Sequence, residues 1–224
     1  MLIEGFPARQ LDTNCWVVAP DDGRQSVVID PGAGVLDRLQ AVLDAHGLRP
    51  AAVLLTHGHL DHTFSVEPIC RTYGIPAYVH PADRHQLADP WSGFGAPAGM
   101  PLFGQTTFAE PAEVRELADG QRLAVAGLEF IVAGSPGHTP GSVLLELSTP
   151  DGPVCFSGDT LFAGSIGRMD LPGGSEPTMQ RTLAEVVLPL ADETVVHPGH
   201  GPSSTIGAER TTNPYLLQML RTAR

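Results

Sequence analysis

Residues Thr56-His-Gly-His-Leu-Asp-His62 place three imidazoles and a carboxylate within six positions, directly after the apolar run Ala51–Leu55. One buried histidine can be satisfied by a backbone carbonyl. Rings and carboxylates packed this densely would repel one another or go unpaired unless a cation sits among them. Any fold of this chain must therefore deliver the end of that apolar run to a metal. His57 and His59, at i and i+2 around Gly58, can converge on one ion while Asp61 and His62 turn toward another. Imidazole suits zinc or iron, and carboxylate suits any hard or borderline cation. With no cysteine in the cluster, zinc is the default and iron or manganese stay open. The i, i+4 histidine pair with an intervening glutamate that marks a metalloprotease helix is absent, so the spacing predicts a loop site fed by a strand.

The remaining composition narrows the class. A chain of 224 residues, 42% apolar, can bury a full core as one domain over 1–224. The 25 acidic residues outnumber the 13 basic ones, giving a formal charge of −12, which disfavours a nucleic-acid partner. No run of eighteen apolar residues occurs, and Met1–Gln10 is not a cationic leader with a long apolar core; the expectation is a cytoplasmic protein without a membrane partner. Cys15, Cys70 and Cys155 are odd in number, lack CxxC spacing and lie among apolar residues, so buried thiols are expected.

Nine short apolar or β-branched runs predict strands: Cys15–Ala19, Ser26–Asp30, Ala51–Thr56, Ala77–His80, Leu123–Val125, Leu128–Val132, Ser142–Leu147, Val154–Ser157 and Thr194–His197. Helical periodicity marks Val35–His46, with Leu36, Leu39, Val42 and Leu43 on one face and Gly47 as its stop. It also marks Phe64–Tyr73, Ala82–Ala88, Met179–Val187, Ile206–Thr212 and a terminal stretch Tyr215–Leu220. That alternation predicts an α/β architecture of sheets covered by helices. The terminal stretch is expected to pack on the domain more than across a dimer, so a monomer or weak homodimer is anticipated. Residues 89–108, rich in glycine and proline yet carrying Trp91, Phe94, Met100, Phe103 and Phe108, read equally as a pocket wall or lid and as a self-burying loop.

Three more residues share the context of the first cluster, each beside glycine at the end of an apolar run: His138 in Pro-Gly-His-Thr-Pro-Gly, Asp159 in Ser-Gly-Asp-Thr-Leu, and His200 in Pro-Gly-His-Gly-Pro. Strand exits are where rigid sheets hold functional side chains in register. Duller roles suit the others. His46 fits a helix C-terminus, His80 and His85 fit capping, His197 competes with His200, and Asp30 either orients a ligand ring or makes an Asp-Pro-Gly turn. Arg168 and Asp170 could simply pair with each other.

In this order, the four motifs resemble the metallo-β-lactamase superfamily across nearly the whole chain. The resemblance implies an αββα four-layer sandwich with two divalent metal ions at one edge. His57, His59 and His138 would hold the first ion; Asp61, His62 and His200 would hold the second, with Asp159 bridging both. It further implies a hydroxide between ions about 3.5–4 Å apart. Gly158-Asp-Thr-Leu-Phe162, Ser165–Ser175 and Thr205–Pro214 resemble the short glyoxalase-II-like hydrolases, which cleave S-acylated glutathione such as S-lactoylglutathione. The implied activity is hydrolysis of thioesters of a low-molecular-weight thiol, with Asp61 and Asp159 catalytic and Arg168 near the thiol's carboxylate. Aspartate at 159 argues against antibiotic hydrolysis. The basic helical extension with which that family grips glutathione has no counterpart between His200 and Arg224, so the thiol is left open. The mono-iron persulfide dioxygenases of the same superfamily are the alternative; retention of Asp61, His62 and His200 favours two metals.

Overall fold

A computed structural model describes residues 1–21 and 23–222. The first half of the chain forms strands β1 (Leu2–Pro7), β2 (Asn14–Ala19), β3 (Gln25–Ile29), β4 (Arg49–Leu54), β5 (Ala77–Val79) and β6 (Val114–Glu116), joined in that order into a six-stranded sheet. β1, β2 and β3 pair antiparallel, whereas β3 to β6 run parallel. Parallel neighbours need crossovers, and α1 (Leu36–His46) supplies the first. The pair α2 (Leu60–Thr63) and α3 (Val66–Tyr73) supplies the second. The second sheet contains β7 (Arg122–Val125), β8 (Leu128–Gly134), β9 (Val143–Thr149), β10 (Gly152–Gly158), β13 (Val195–Pro198) and β14 (Ser204–Thr205), in spatial order β14-β13-β10-β9-β8-β7. A small ribbon of β11 (Leu161–Phe162) and β12 (Ser165–Ile166) and the helix α5 (Glu176–Thr182) lie between β10 and β13; α6 (Ile206–Thr212) and α7 (Pro214–Thr222) follow β14.

Period-2 alternation along these strands generates four layers, as expected. Trp16, Val18, Val27, Ile29, Ala52 and Leu54 face Phe130, Val132, Leu145, Leu147 and Phe156 of the other sheet, forming the central core. Their alternates Cys15, Val17, Val28, Val53 and Leu55 turn outward against Leu39, Val42 and Leu43 of α1 and Val66 and Ile69 of α3. On the far side, Leu144, Cys155 and Val196 meet Met179, Leu183, Ile206 and Leu216. The two-sided burial explains why β4 and β10 read as continuous apolar runs. All three cysteines are buried free thiols, and burial pushes Cys70 up to about 12. Among the described residues, no helix is long and apolar enough to cross a membrane.

Several expectations needed adjustment. Leu36 is exposed although its α1 partners are buried, and α1 ends at Gly47 in the left-handed conformation as its sequence predicts. The helix expected at Phe64–Tyr73 starts only at Val66, because Ser65 leaves the helical ladder, its Oγ donating to the Gly32 carbonyl at 2.6 Å and its N–H to Pro31. Ala82–Ala88 yields a single tight turn, Arg84–Leu87, since the Gln86 N–H bonds three residues back to Asp83 and the Asp83 side chain is engaged elsewhere. The helix expected from Met179 begins at Glu176, capped by Ser175, and widens into a π-turn over Leu183–Val187. β1, β6, β11, β12 and β14 are additional strands, mostly short or at sheet edges.

Residues 89–108 fold one helical turn, α4 (Trp91–Phe94), and gather an aromatic cluster in which Trp91 and Phe64 both meet Phe108 edge-on at 5.4 and 5.9 Å. Part of the loop is thus self-burying, yet it also walls two spaces. A cavity of about 370 Å³, lined by Leu60, Phe64, Arg71 and Phe108 among others, lies behind α2 and touches none of the expected ligands. On the ligand side, the Phe94 ring stacks on His59 at 5.6 Å.

Candidate metal centre

Every expected ligand stands at or just beyond the end of a strand or on the short helix that follows one. β4 ends at Leu54 and feeds Thr56 to His59; α2 carries Asp61 and His62; the β8–β9 loop carries His138; β10 ends immediately before Asp159, and β13 ends two residues before His200. The two sheets therefore contribute to one cluster from opposite sides. Within it, ligand atoms lie within 4.8 Å of one another in three overlapping groups: His57, His59 and His138; His57, His62 and Asp159; and Asp61, His62 and His200. His62 Nε2 stands 3.3 Å from Asp159 Oδ1 and 3.4 Å from Asp61 Oδ2. Asp159 Oδ2 is 3.6 Å from His138 Nε2 and 3.7 Å from His200 Nε2, which puts this carboxylate between the groups.

The hydrogen-bond inventory tests whether these residues suit a metal. The Nε2 atoms of His57, His59, His62 and His138, and Oδ1 of Asp159, are buried without a hydrogen-bond partner. Orphaned buried polar atoms are costly and rare; five converging in one place need a common partner, and the donor set of imidazole nitrogens and carboxylates fits a borderline divalent cation. The opposite ring edges are occupied. His62 Nδ1 meets Asp30 Oδ2 at 3.0 Å, His138 Nδ1 donates to the Arg168 carbonyl at 2.7 Å, and His57 Nδ1 lies 3.2 Å from Thr56 Oγ1. Such outer contacts fix the tautomer that leaves Nε2 with a free lone pair. Gly199 and Gly167 allow the loops to close: a methyl at 199 would fall 2.3 Å from Asp159 Oδ1, and one at 167 would strike the Asp159 carbonyl.

Electrostatics follow the same division. Burial, reinforced by the neighbouring rings His62 and His138, holds His57 well below the ordinary histidine value, and burial together with His138 lowers His59 to about 4, so both rings are neutral at pH 7, the form in which imidazole can bind a metal. For His62, burial alone would act the same way, but Asp61, Asp159 and Asp30 outweigh it and raise the ring. Burial would raise Asp61 and Asp159; His62 and His200 overcome that and keep both carboxyls below their usual range.

The remaining sequence candidates separate cleanly. Asp30 is an orienting residue: held at a positive φ of 50°, it accepts from Thr56 N–H at 2.8 Å, Thr56 Oγ1 at 2.6 Å and the His62 ring. His197 lies outside the cluster, packed on Trp16 at 4.4 Å and Phe156 at 5.2 Å with Nδ1 on Ser203 Oγ, so the geometry favours His200. His46 pairs with Glu4, and His80 Nδ1 accepts from the Ala82 N–H. Arg168 makes a two-pronged ion pair with Asp170, both bonds 2.7 Å, on an exposed surface, while its carbonyl serves His138.

Three residues that brace the site carried no sequence signal. Asp83, fully buried, bonds both ligand loops. Thr13 donates to Asp61 Oδ2 at 3.0 Å and bridges backbone to backbone with His200, while the Asn14 amide donates to the carbonyls of Pro198 and Gly201 at 3.0 and 2.8 Å. Polar residues in turns are common, so only their spatial partners distinguish them.

Comparison with known proteins agrees with this geometry. An uncharacterized protein of Mycobacterium tuberculosis H37Rv is 48% identical over 225 residues, covering 99% of this chain and 100% of its own length. The hydroxyacylglutathione hydrolase GloC of Haemophilus influenzae is 32% identical over 220 residues, covering 96% of this chain and 98% of its own. Among solved structures, the BLEG-1 B3 metallo-β-lactamase superposes with a TM-score of 0.84 at 35% identity, over 96% of this chain and 99% of that one. TTHA1623, solved in a di-iron-bound form, gives 0.79 at 38% identity over 95% of this chain and 100% of that one. The profile of the metallo-β-lactamase superfamily matches residues 8–200, a span that contains all seven candidate ligands, and the chain belongs to that superfamily.

Proposed function

We propose that the chain is a metal-dependent hydrolase cleaving thioesters of a low-molecular-weight thiol, with His57, His59 and His138 as one ligand set, Asp61, His62 and His200 as a second, and Asp159 shared. The observation that carries this reading is the convergence of four partnerless Nε2 atoms and two ionised carboxylates, in a chain matching GloC over nearly its full length. Zinc is the default ion for this donor set, with iron and manganese as the alternatives.

Bound divalent metal supplies Lewis acidity toward a carbonyl oxygen and lowers the pKa of water from 15.7 to about 7. The chain's own residues do the rest. Asp30, Thr56 and the Arg168 carbonyl hold the ring tautomers from behind, so that lone pairs and not N–H groups face inward. Asp61 and Asp159, kept ionised by the surrounding imidazoles, are the carboxylates placed to orient the attacking water. Phe94 beside His59 and Phe162 at 6.1 Å from His200 wall the cluster with apolar rings that limit bulk water. Hydrolysis joins the water oxygen to the acyl carbon and breaks the C–S bond; one water proton ends on the departing sulfur and the other is released as the new carboxylic acid ionises. Thiolates leave without a strong general acid, which suits a site built of bases. Arg168 is the proposed anchor for a carboxylate of the thiol, exchanging Asp170 for the substrate.

The test is elemental analysis of protein purified without added metal, followed by assay with S-lactoylglutathione. About two equivalents and thioester cleavage, abolished in Asp159→Ala, are expected. Full activity in that variant would overturn the assignment. Cleavage of a β-lactam alone would redirect it toward the activity named for BLEG-1, and about one iron with persulfide-dependent oxygen uptake would redirect it toward the dioxygenase branch.

A further inference from the structure

Besides Asp30, which reaches both sets through Thr56 and His62, each ligand set has a clamp of its own. Asp83 stands in the turn after β5 and is completely buried. Its Oδ2 accepts from the Gly58 N–H at 2.9 Å and from Thr139 Oγ1 at 2.6 Å, and its Oδ1 accepts from the Gly141 N–H at 2.8 Å. Gly58 lies between the ligands His57 and His59, and Thr139 follows the ligand His138. One carboxylate therefore ties the loop leaving the first sheet to the loop leaving the second, and the three rings it brackets all belong to the three-histidine group, with centroids 4.6 to 4.9 Å apart. Among the described residues, the Asp83 carboxylate bonds only to Gly58, Thr139 and Gly141, and to none of Asp61, His62 and His200. That group is braced instead by Thr13 and Asn14, through Asp61 Oδ2 and the carbonyls on either side of His200.

We infer that Asp83 is a positioning residue for the three-histidine site alone, setting the separation of His57 and His59 from His138 and hence that site's metal affinity. The inference rests on the ligand reading above. Its chemical basis is that a carboxylate has acceptor capacity at both oxygens and no proton to place. An amide in its position cannot reproduce the pattern. With the NH₂ at the Oδ2 place, Thr139 can rotate and accept, but the Gly58 N–H then faces another donor; with the NH₂ at the Oδ1 place, the Gly141 N–H does. Either orientation strands a backbone donor of a ligand-bearing loop and pushes the two loops apart. Outer residues of this kind typically change metal affinity 10–100-fold.

The experiment is a zinc titration of the full chain against a chromophoric chelator, with thermal melts of the metal-free protein run in parallel. In the wild type, two binding events are expected. Asp83→Asn is expected to weaken one of them 10–100-fold and leave the other within experimental error. To identify which, Asp83→Asn is combined with His200→Ala, where the surviving event should weaken by the same factor, and with His59→Ala, where the surviving event should not change. Thr139→Val, which removes one arm of the clamp and keeps side-chain shape, provides a milder version should Asp83→Asn fold poorly. A lower melting temperature with both zinc affinities unchanged would reduce Asp83 to a structural residue and overturn the inference, as would equal weakening of both events. A wild-type chain that binds no zinc would overturn the ligand reading itself, a result separable from the other two.

Discussion

Gly199→Ala provides a sharp test of how closely the site is fitted. Gly199 separates β13 from His200, and its backbone is one that alanine can adopt, so the substitution carries no left-handed strain. The added methyl would stand 2.3 Å from Asp159 Oδ1 and 2.6 Å from His62 Cε1, where ordinary contact begins at 3.4 Å. The carboxylate must therefore retreat by about 1.1 Å, or the His200 loop must lift by a similar amount. Neither movement is free. Asn14 N–H bonds the Gly199 carbonyl at 2.6 Å and the Gly199 N–H bonds Gly158, so the loop is held on both sides. Overpacking of this kind costs about 1–3 kcal/mol of stability. Metal ligation tolerates roughly ±0.2 Å in its distances, and a 1 Å misplacement can remove about 10²-fold of rate. The expected variant is folded, binds less than the wild-type complement of metal and loses about two orders of magnitude in kcat for the proposed thioester cleavage. Gly74→Ala is the control: at φ 67°, with nothing within 4 Å of the new methyl, it pays about 1 kcal/mol of left-handed strain and leaves the ligands untouched. Wild-type metal content and rate in Gly199→Ala would refute the claim that this glycine holds space for Asp159 and His62.

Two further outcomes follow from the same geometry. Asp30→Asn places an amide N–H₂ where His62 Nδ1 or the Thr56 N–H now finds an acceptor; if the ring answers by accepting at Nδ1, its proton moves to Nε2 and the ligand atom is blocked. Metal affinity should fall about 10–100-fold, with an unchanged zinc titration as the refuting result. His197, held near 4 by burial against an ordinary value of 6.5, is neutral in the folded state and takes up a proton on unfolding, so its contribution is complete above pH 6.5 and is lost as pH falls toward 4. Buried His57 acts in the same direction, so the measurement is a difference: chelator-treated His197→Phe should lose less melting temperature than the wild type between pH 7 and 4, and parallel curves would refute the assignment.

The candidate metal centre was legible because the chemistry of its donor set leaves little freedom. Imidazoles and carboxylates at strand exits beside glycine are conspicuous in any sequence, and His57, His59, Asp61, His62, His138, Asp159 and His200 do converge in space. The strands with continuous apolar character, such as β4 and β10, were equally visible, since burial on both faces demands it. Short edge strands such as β6 and β14 escaped notice because they bury too few side chains to impose a pattern. Ala82–Ala88 has helical periodicity yet forms only the Arg84–Leu87 turn, since periodicity is silent about a side chain recruited elsewhere, as Asp83 is.

By itself, the sequence determined which atoms can bind metal and which runs must be buried, both properties of residue type and local spacing. Only the tertiary structure decided how the strands divide between two sheets, that His197 packs on Trp16 and Phe156 outside the cluster, and that Asp83, Thr13 and Asn14, with Asp30, hold the cluster together. Those outcomes depend on hydrogen bonds between residues up to 187 positions apart. Such bonds leave no local pattern, because one aspartate or threonine in a turn looks like any other until its partner is brought to it.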